Sequence, residues 1–235
     1  MTDSEIKELF KIQSRNVRHL KKVEKNLTMD INYHLLKGDD FKVGIKTNFY
    51  SLLYSSLSEA QFLQILHTPN GFLYSEIQKV NKKSSIVDKW KCMLDIALSK
   101  VGDFKVDSNI SNKRNHLLDI ITTYIESPQT IRNKIAHGQW VCALNSKNTK
   151  ENTATTTAVK SINVVEISRW YTVHQYLCFI MRDLVQSTPG TFNQSFNDNY
   201  SKLDTFLTES ASWTLTTRIN DIKRKYQNRK VQPED

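Results

Sequence analysis

Residues 127–138, Ser-Pro-Gln-Thr-Ile-Arg-Asn-Lys-Ile-Ala-His-Gly, bring an arginine, an amide and a histidine onto one short segment. These side chains suit work on a phosphodiester. A guanidinium can hold two phosphate oxygens with its forked donors, and an imidazole can take or give a proton near neutral pH. The segment reads as a helix with both ends marked. Ser127 is a good N-cap and Pro128 suits the first helical position, while Gly138 can take the left-handed conformation that stops the helix. His137 then falls at a helix C-terminus, where the dipole favours the protonated imidazole. Arg132 and His137 lie roughly 140° apart around an ideal helix and do not share a face. Asn133 and His137 do share one. Asn133 is thus expected to orient the imidazole or contact the phosphate, and Arg132 must curl its side chain around to join them.

The segment closely resembles the Arg-x4-His signature of the HEPN superfamily, small helical proteins of which many are ribonucleases. The likeness includes the Asn after the arginine, the apolar residues before the histidine and the Gly after it. Arg169 and His174 repeat the spacing, but Trp170, Tyr171, Thr172 and Val173 between them read as the start of a core-facing helix. The flanks therefore select Arg132, Asn133 and His137 as the catalytic group. The resemblance covers residues 47–185, and its specific part is the dozen residues around Arg132. It implies a helical bundle that dimerises to bring two motifs into one cleft, with Glu59 on an earlier helix as a supporting acid facing the arginine. HEPN toxins paired with nucleotidyltransferase antitoxins carry a tyrosine two residues after the histidine. Gln139 stands there in this chain, so control by modification at that position is not expected.

Cleaving RNA without a metal requires removing the 2′-hydroxyl proton, stabilising charge on the phosphate and protonating the 5′-oxygen. Histidine serves the first or last task and arginine the second. The resemblance implies this chemistry, with a 2′,3′-cyclic phosphate and a 5′-hydroxyl as products. No cofactor is implied and no metal ligands are assigned, since Cys92, Cys142 and Cys178 are scattered and form no cluster of zinc spacing.

Composition supports a polyanionic partner. The 235 residues carry 33 Lys and Arg against 24 Asp and Glu, a net charge of +9, which points to nucleic acid or an anionic surface. RNA is the expected partner. Lys134 beside the motif and Lys223, Arg224 and Lys225 near the C-terminus are the candidate RNA-binding cations. No apolar run reaches membrane-spanning length and the N-terminus is not signal-like, so the reading is a cytoplasmic protein without a membrane partner.

The elements that must position the motif follow from periodicity. Only six Gly and four Pro favour long helices over a turn-rich β fold. Apolar residues at helical spacing predict helices over 4–36, 47–67, 75–80, 86–100, 113–126, 168–185 and 196–227, the last with a break near 210–212. A basic face over Lys11, Arg15, Arg18, Lys21, Lys22 and Lys25 reads as solvated. Trp90, Trp170 and Trp213 read as core. Residues 140–165, rich in β-branched side chains at both ends, predict a β-hairpin or loop inserted after the motif helix. The expected organisation is a single mainly α, HEPN-like domain over 1–235: a long N-terminal helix and loop over 1–46, the 140–165 insertion, and a flexible basic tail over 222–235.

The leading expectation is a metal-independent endoribonuclease acting as a homodimer, in the manner of a defence, abortive-infection or toxin effector. Such an effector would call for a protein or RNA regulator of antitoxin type. Two alternatives stand beside it: a HEPN-fold module that binds RNA, a nucleotide or a protein without cutting, and a helical regulator that binds nucleic acid through its basic termini.

Overall fold

The two longest amphipathic stretches form an antiparallel helical hairpin, α1 (Asp3–Lys37) and α2 (Asp40–Leu66). Bonds along its length fix the direction: Lys46 pairs with Asp30, the Tyr50 hydroxyl donates to Glu24 at 3.1 Å, and the Gln64 amide donates to Ser14 at 2.9 Å. A reciprocal Thr2–Glu5 capping box starts α1. Gly38, at φ 66°, ends it in the left-handed region, where a side chain would be strained. Asp39 then caps α2 by accepting from the Lys42 N–H at 3.2 Å. The loop expected up to residue 46 therefore shrinks to Gly38 and Asp39, because this aspartate restarts the helix at once.

The computed structural model describes residues 1–187 and 190–231, and these are mainly helical. After the hairpin come α3 (Tyr74–Asn81), α4 (Ile86–Val101), α5 (Ser108–Ile121), a π-helical turn (Thr122–Glu126), α6 (Ser127–Ala136), α7 (Thr153–Ser161), α8 (Val164–Val185), α9 (Gln194–Ser210) and α10 (Leu215–Val231). The second half of α2 packs with α4, α5, α8 and α9 around the buried Phe62, Trp90, Met93, Leu177 and Phe196. Its first half packs with the end of α1 and the start of α8 around Ile31, Tyr50, Tyr54 and Trp170. Ile131 of α6 and Leu215, Ile219 and Ile222 of α10 close that second cluster. The motif helix and the C-terminal helix are thus held by the same patch of core.

Three further expectations change. No strand forms among the described residues over 140–165. A single antiparallel bridge between Leu144 and Glu151 remains of the hairpin, and its second arm is the helix α7. Asn152 caps α7 by accepting from the Thr155 N–H at 3.1 Å, and Thr156 and Val159 turn inward at helical spacing. Asn163 caps α8 through the Val165 and Glu166 N–H groups. Capping and burial here override the β preference of Thr and Val. The tail expected to be flexible from 222 continues as the second half of α10, anchored by Ile219 and Ile222; residues 232–235 of that expectation lie outside the described residues. Finally, Ser127 is not an N-cap.

Candidate functional site

Ser127 has helical angles, φ −61° and ψ −47°, so the chain runs unbroken from α5 through the π-turn into α6. Pro128 explains both the turn and its position. A proline inside a helix lacks an N–H and its ring crowds the carbonyl four residues back. That carbonyl belongs to Tyr124, and widening the preceding turn relieves the crowding. The buried Tyr54 hydroxyl on α2 donates to the Tyr124 carbonyl in place of the missing N–H. The Ser127 hydroxyl donates to the Thr122 carbonyl at 3.3 Å. The sequence offered a start signal; the fold uses it as a pinned irregularity that aims the motif helix across α2.

Ile135 is buried and Ile131 packs on the core, which turns Arg132, Asn133 and His137 outward. Arg132 is half-buried, and its Nη1 donates to the Asn133 Oδ1 at 3.1 Å. Asn133 therefore steadies the guanidinium rather than the imidazole. His137 ends α6 with φ −92° and ψ 18°, and is exposed. Among the described residues its ring makes no hydrogen bond, and neither Arg132 nor His137 has a carboxylate partner. Gly138 takes the left-handed φ of 75°, as its place after the histidine predicts.

The segment after His137 is clamped to the helix. The Trp140 indole N–H donates to the Ile135 carbonyl at 2.8 Å, and the Gln139 side-chain oxygen accepts from the Leu144 N–H at 2.7 Å. Lys134 donates to the Leu144 carbonyl at 2.6 Å, so this cation is committed to the loop. Phe49 of α2 meets the Trp140 ring edge-on at 5.6 Å. Sequence reasoning assigned Trp140 to a strand and missed its role; its only signal was an aromatic residue just past the glycine stop.

None of the remaining candidates bonds to a motif side chain among the described residues. Glu59 is exposed and forms no ion pair among the described residues. Lys223, Arg224 and Lys225 are exposed on α10, where consecutive residues fan roughly 100° apart. Arg224 pairs with Asp221 at 2.9 Å.

Arg169 and His174, the second pair of the same spacing, are structural. Arg169 pairs with Glu166 and donates to the Ser210 carbonyl, both at 2.5 Å. His174 is 1% exposed between the rings of Tyr54 and Trp90. Burial pushes its pKa down to about 3.

No protein-family model, curated protein or solved structure matches this chain. The motif must be judged on its own geometry. Among the described residues no group of three or more His, Cys, Asp or Glu side chains is arranged to hold a metal ion, and no helix is long and apolar enough to cross a membrane. What the site offers is one guanidinium and one imidazole turned outward near the end of a helix whose other side packs on the core.

Proposed function

We propose that this protein is a metal-independent endoribonuclease of HEPN type, acting as a homodimer in which two motifs share a cleft. One observation carries the reading. Arg132 and His137 are basic groups with no acidic partner among the described residues, presented on a helix whose other side is fixed in the core. Arg169 and His174 show the structural use of the same residue types: one is paired, the other sealed from solvent.

In the proposed reaction the 2′-oxygen attacks phosphorus while one His137 takes its proton. Arg132 binds the phosphate oxygens as negative charge builds on them. The bond from phosphorus to the 5′-oxygen then breaks, and the leaving oxygen takes a proton from the imidazolium of the second chain. The products are a 2′,3′-cyclic phosphate and a 5′-hydroxyl. A single chain supplies one histidine, so base and acid together call for two. A cytoplasmic defence or toxin effector under a protein or RNA regulator would suit such an enzyme.

The binding-module reading draws on Glu59. The acid expected to face the motif arginine is exposed and forms no ion pair among the described residues, which suits a site that holds a phosphate without cutting. The test is incubation of the purified protein with mixed RNA in EDTA, beside an Arg132→Ala/His137→Ala double variant. Cleavage that survives EDTA, leaves 5′-hydroxyl ends and vanishes in the folded double variant supports the enzyme. Cleavage by the double variant at the wild-type rate sinks it, and binding without cleavage moves the assignment to the module.

A further inference from the structure

A groove of about 720 Å³ runs between α1 and α10, and no motif residue lines it. Its volume is that of a small-molecule pocket, roughly 300–1,000 Å³, which gives room for a nucleotide rather than a bare phosphate. Tyr33 on α1 and Trp213 in the turn before α10 stand on its walls, 55% and 47% exposed. The sequence reading put Trp213 in the core. Instead it leans edge-on against Phe206 at 5.4 Å and leaves much of its ring in solvent. Lys37 holds its ammonium 5.8 Å from the Tyr33 ring centre.

The charges of the groove are unbalanced. Arg218, Ile222 and Lys225 recur at helical spacing and line the same side of α10. Arg218 donates through Nε and Nη2 to the Asn32 side-chain oxygen at 3.3 and 3.0 Å, and among the described residues it has no carboxylate partner. Burial lowers its pKa from the usual arginine value, as expected of a desolvated cation without a counter-ion. Asp221, the acid of the groove, is taken by Arg224. Arg218 and Lys225 are left as cations beside the exposed Tyr33, Trp213 and Tyr226.

We infer that this groove binds single-stranded RNA, with a base stacked on Trp213 or Tyr33 and a phosphate held by Arg218. Its choice of polymer rests on the ribonuclease reading; its chemistry does not. Aromatic platforms alternating with cations bind unpaired bases and the backbone together, whereas a duplex keeps its base faces stacked away. An apolar helix from a protein partner would fit the volume but would leave the Arg218 charge uncompensated, and the net charge of +9 favours a polyanion.

The test uses the full chain carrying His137→Ala, so that the probe stays intact. Anisotropy is measured with a labelled mixed-sequence RNA of about ten nucleotides, single-stranded or as a duplex, across a salt series. Trp213→Leu and Tyr33→Leu keep apolar bulk while removing the ring, and circular dichroism checks the fold. The single strand should bind more tightly than the duplex. Each leucine variant should weaken binding roughly tenfold, and Arg218→Gln should lower the salt slope by about 0.7. Equal affinity for both probes, or an unchanged Kd and salt slope in folded Trp213→Leu and Arg218→Gln proteins, overturns the inference. So does loss of protein self-association in the groove variants with no binding of either RNA. Groove-dependent binding by a wild-type chain that cuts nothing would sink the enzyme reading alone; cutting with groove-independent affinity would sink this one alone.

Discussion

The Tyr54 hydroxyl donates to the backbone carbonyl of Tyr124, the acceptor that Pro128 cannot serve. Tyr54 lies at the centre of the α2 core, 2% exposed, and burial holds its phenol pKa well above the ordinary value, so it remains a donor at any working pH. One side chain thus ties the motif helix to the longest hairpin of the fold. Tyr54→Phe keeps the ring and leaves the carbonyl without that donor. The expected loss is about 1–3 kcal/mol in urea unfolding. A Pro128→Ala background restores a backbone N–H at 128, so the same substitution should cost less there. An equal loss in both backgrounds would disconnect the two residues.

His174 gives the fold an acid-sensitive point. Its ring is neutral, with Nε2 3.4 Å from the Cys178 sulfur and Nδ1 buried without a partner. Burial also pushes the Cys178 thiol up to about 12, so it stays protonated and can donate to the ring. The unfolded chain binds a proton at His174 below about pH 6.5, while the folded chain resists until about 3. Below 6.5 the unfolded state therefore holds more protons, and stability falls as the pH drops through that window, by up to about 1.4 kcal/mol per pH unit. From pH 7 to pH 5 the expected loss is about 2 kcal/mol. His174→Phe fills the same aromatic box and should flatten the dependence. Urea midpoints at the two pH values check it, and an unchanged slope in the variant would place the acid sensitivity elsewhere.

Helix number and order could largely be read from apolar spacing, because each stripe faces a core that the same stripes build. The breaks at Gly38 and near residue 211 could be read for the same reason. Two kinds of fact could not. The helix at α7 comes from the Asn152 cap and the burial of Thr156 and Val159, which local β propensity opposes. The unbroken passage through Ser127 depends on Tyr54, seventy residues earlier in the chain, and no local signal carries a contact of that range. At the site, the short helix that carries Arg132 and Asn133 and ends at His137 followed from the sequence, whereas their outward aim comes from Ile131 and Ile135 facing the core. The partners did not: Asn133 goes to Arg132, and Lys134 goes to a carbonyl.

Lys134 separates structure from binding. Its bond to the Leu144 carbonyl holds the loop that follows His137. Lys134→Ala should therefore lower stability by about 1 kcal/mol, the usual worth of a partly exposed hydrogen bond, and leave the salt slope of RNA binding unchanged. A slope lower by a full phosphate contact, with stability intact, would return Lys134 to the RNA-binding cations.

The proposed shared cleft makes assembly the next test of the motif. His137→Ala is expected to lower kcat roughly 10²–10⁴-fold, the usual range for a lost general acid or base. Arg132→Lys should rescue poorly beside Arg132→Ala, since an ammonium has no fork. Neither result distinguishes one chain acting alone from two sharing a cleft. Co-expression does. If each cleavage uses the histidines of both chains, a His137→Ala subunit silences the wild-type chain with which it pairs. A tenfold excess of variant chains then leaves most wild-type chains in mixed dimers, and activity per wild-type chain falls about tenfold. If each chain acts alone, activity follows the amount of wild-type chain and the excess has no effect. Arg169→Ala chains serve as the control: that guanidinium is spent on Glu166 and Ser210, so they should lose stability but should not poison a partner. Full activity under the His137→Ala excess, or a strict monomer in solution that still cuts RNA, would remove the shared cleft and leave one imidazole to act as both base and acid in turn.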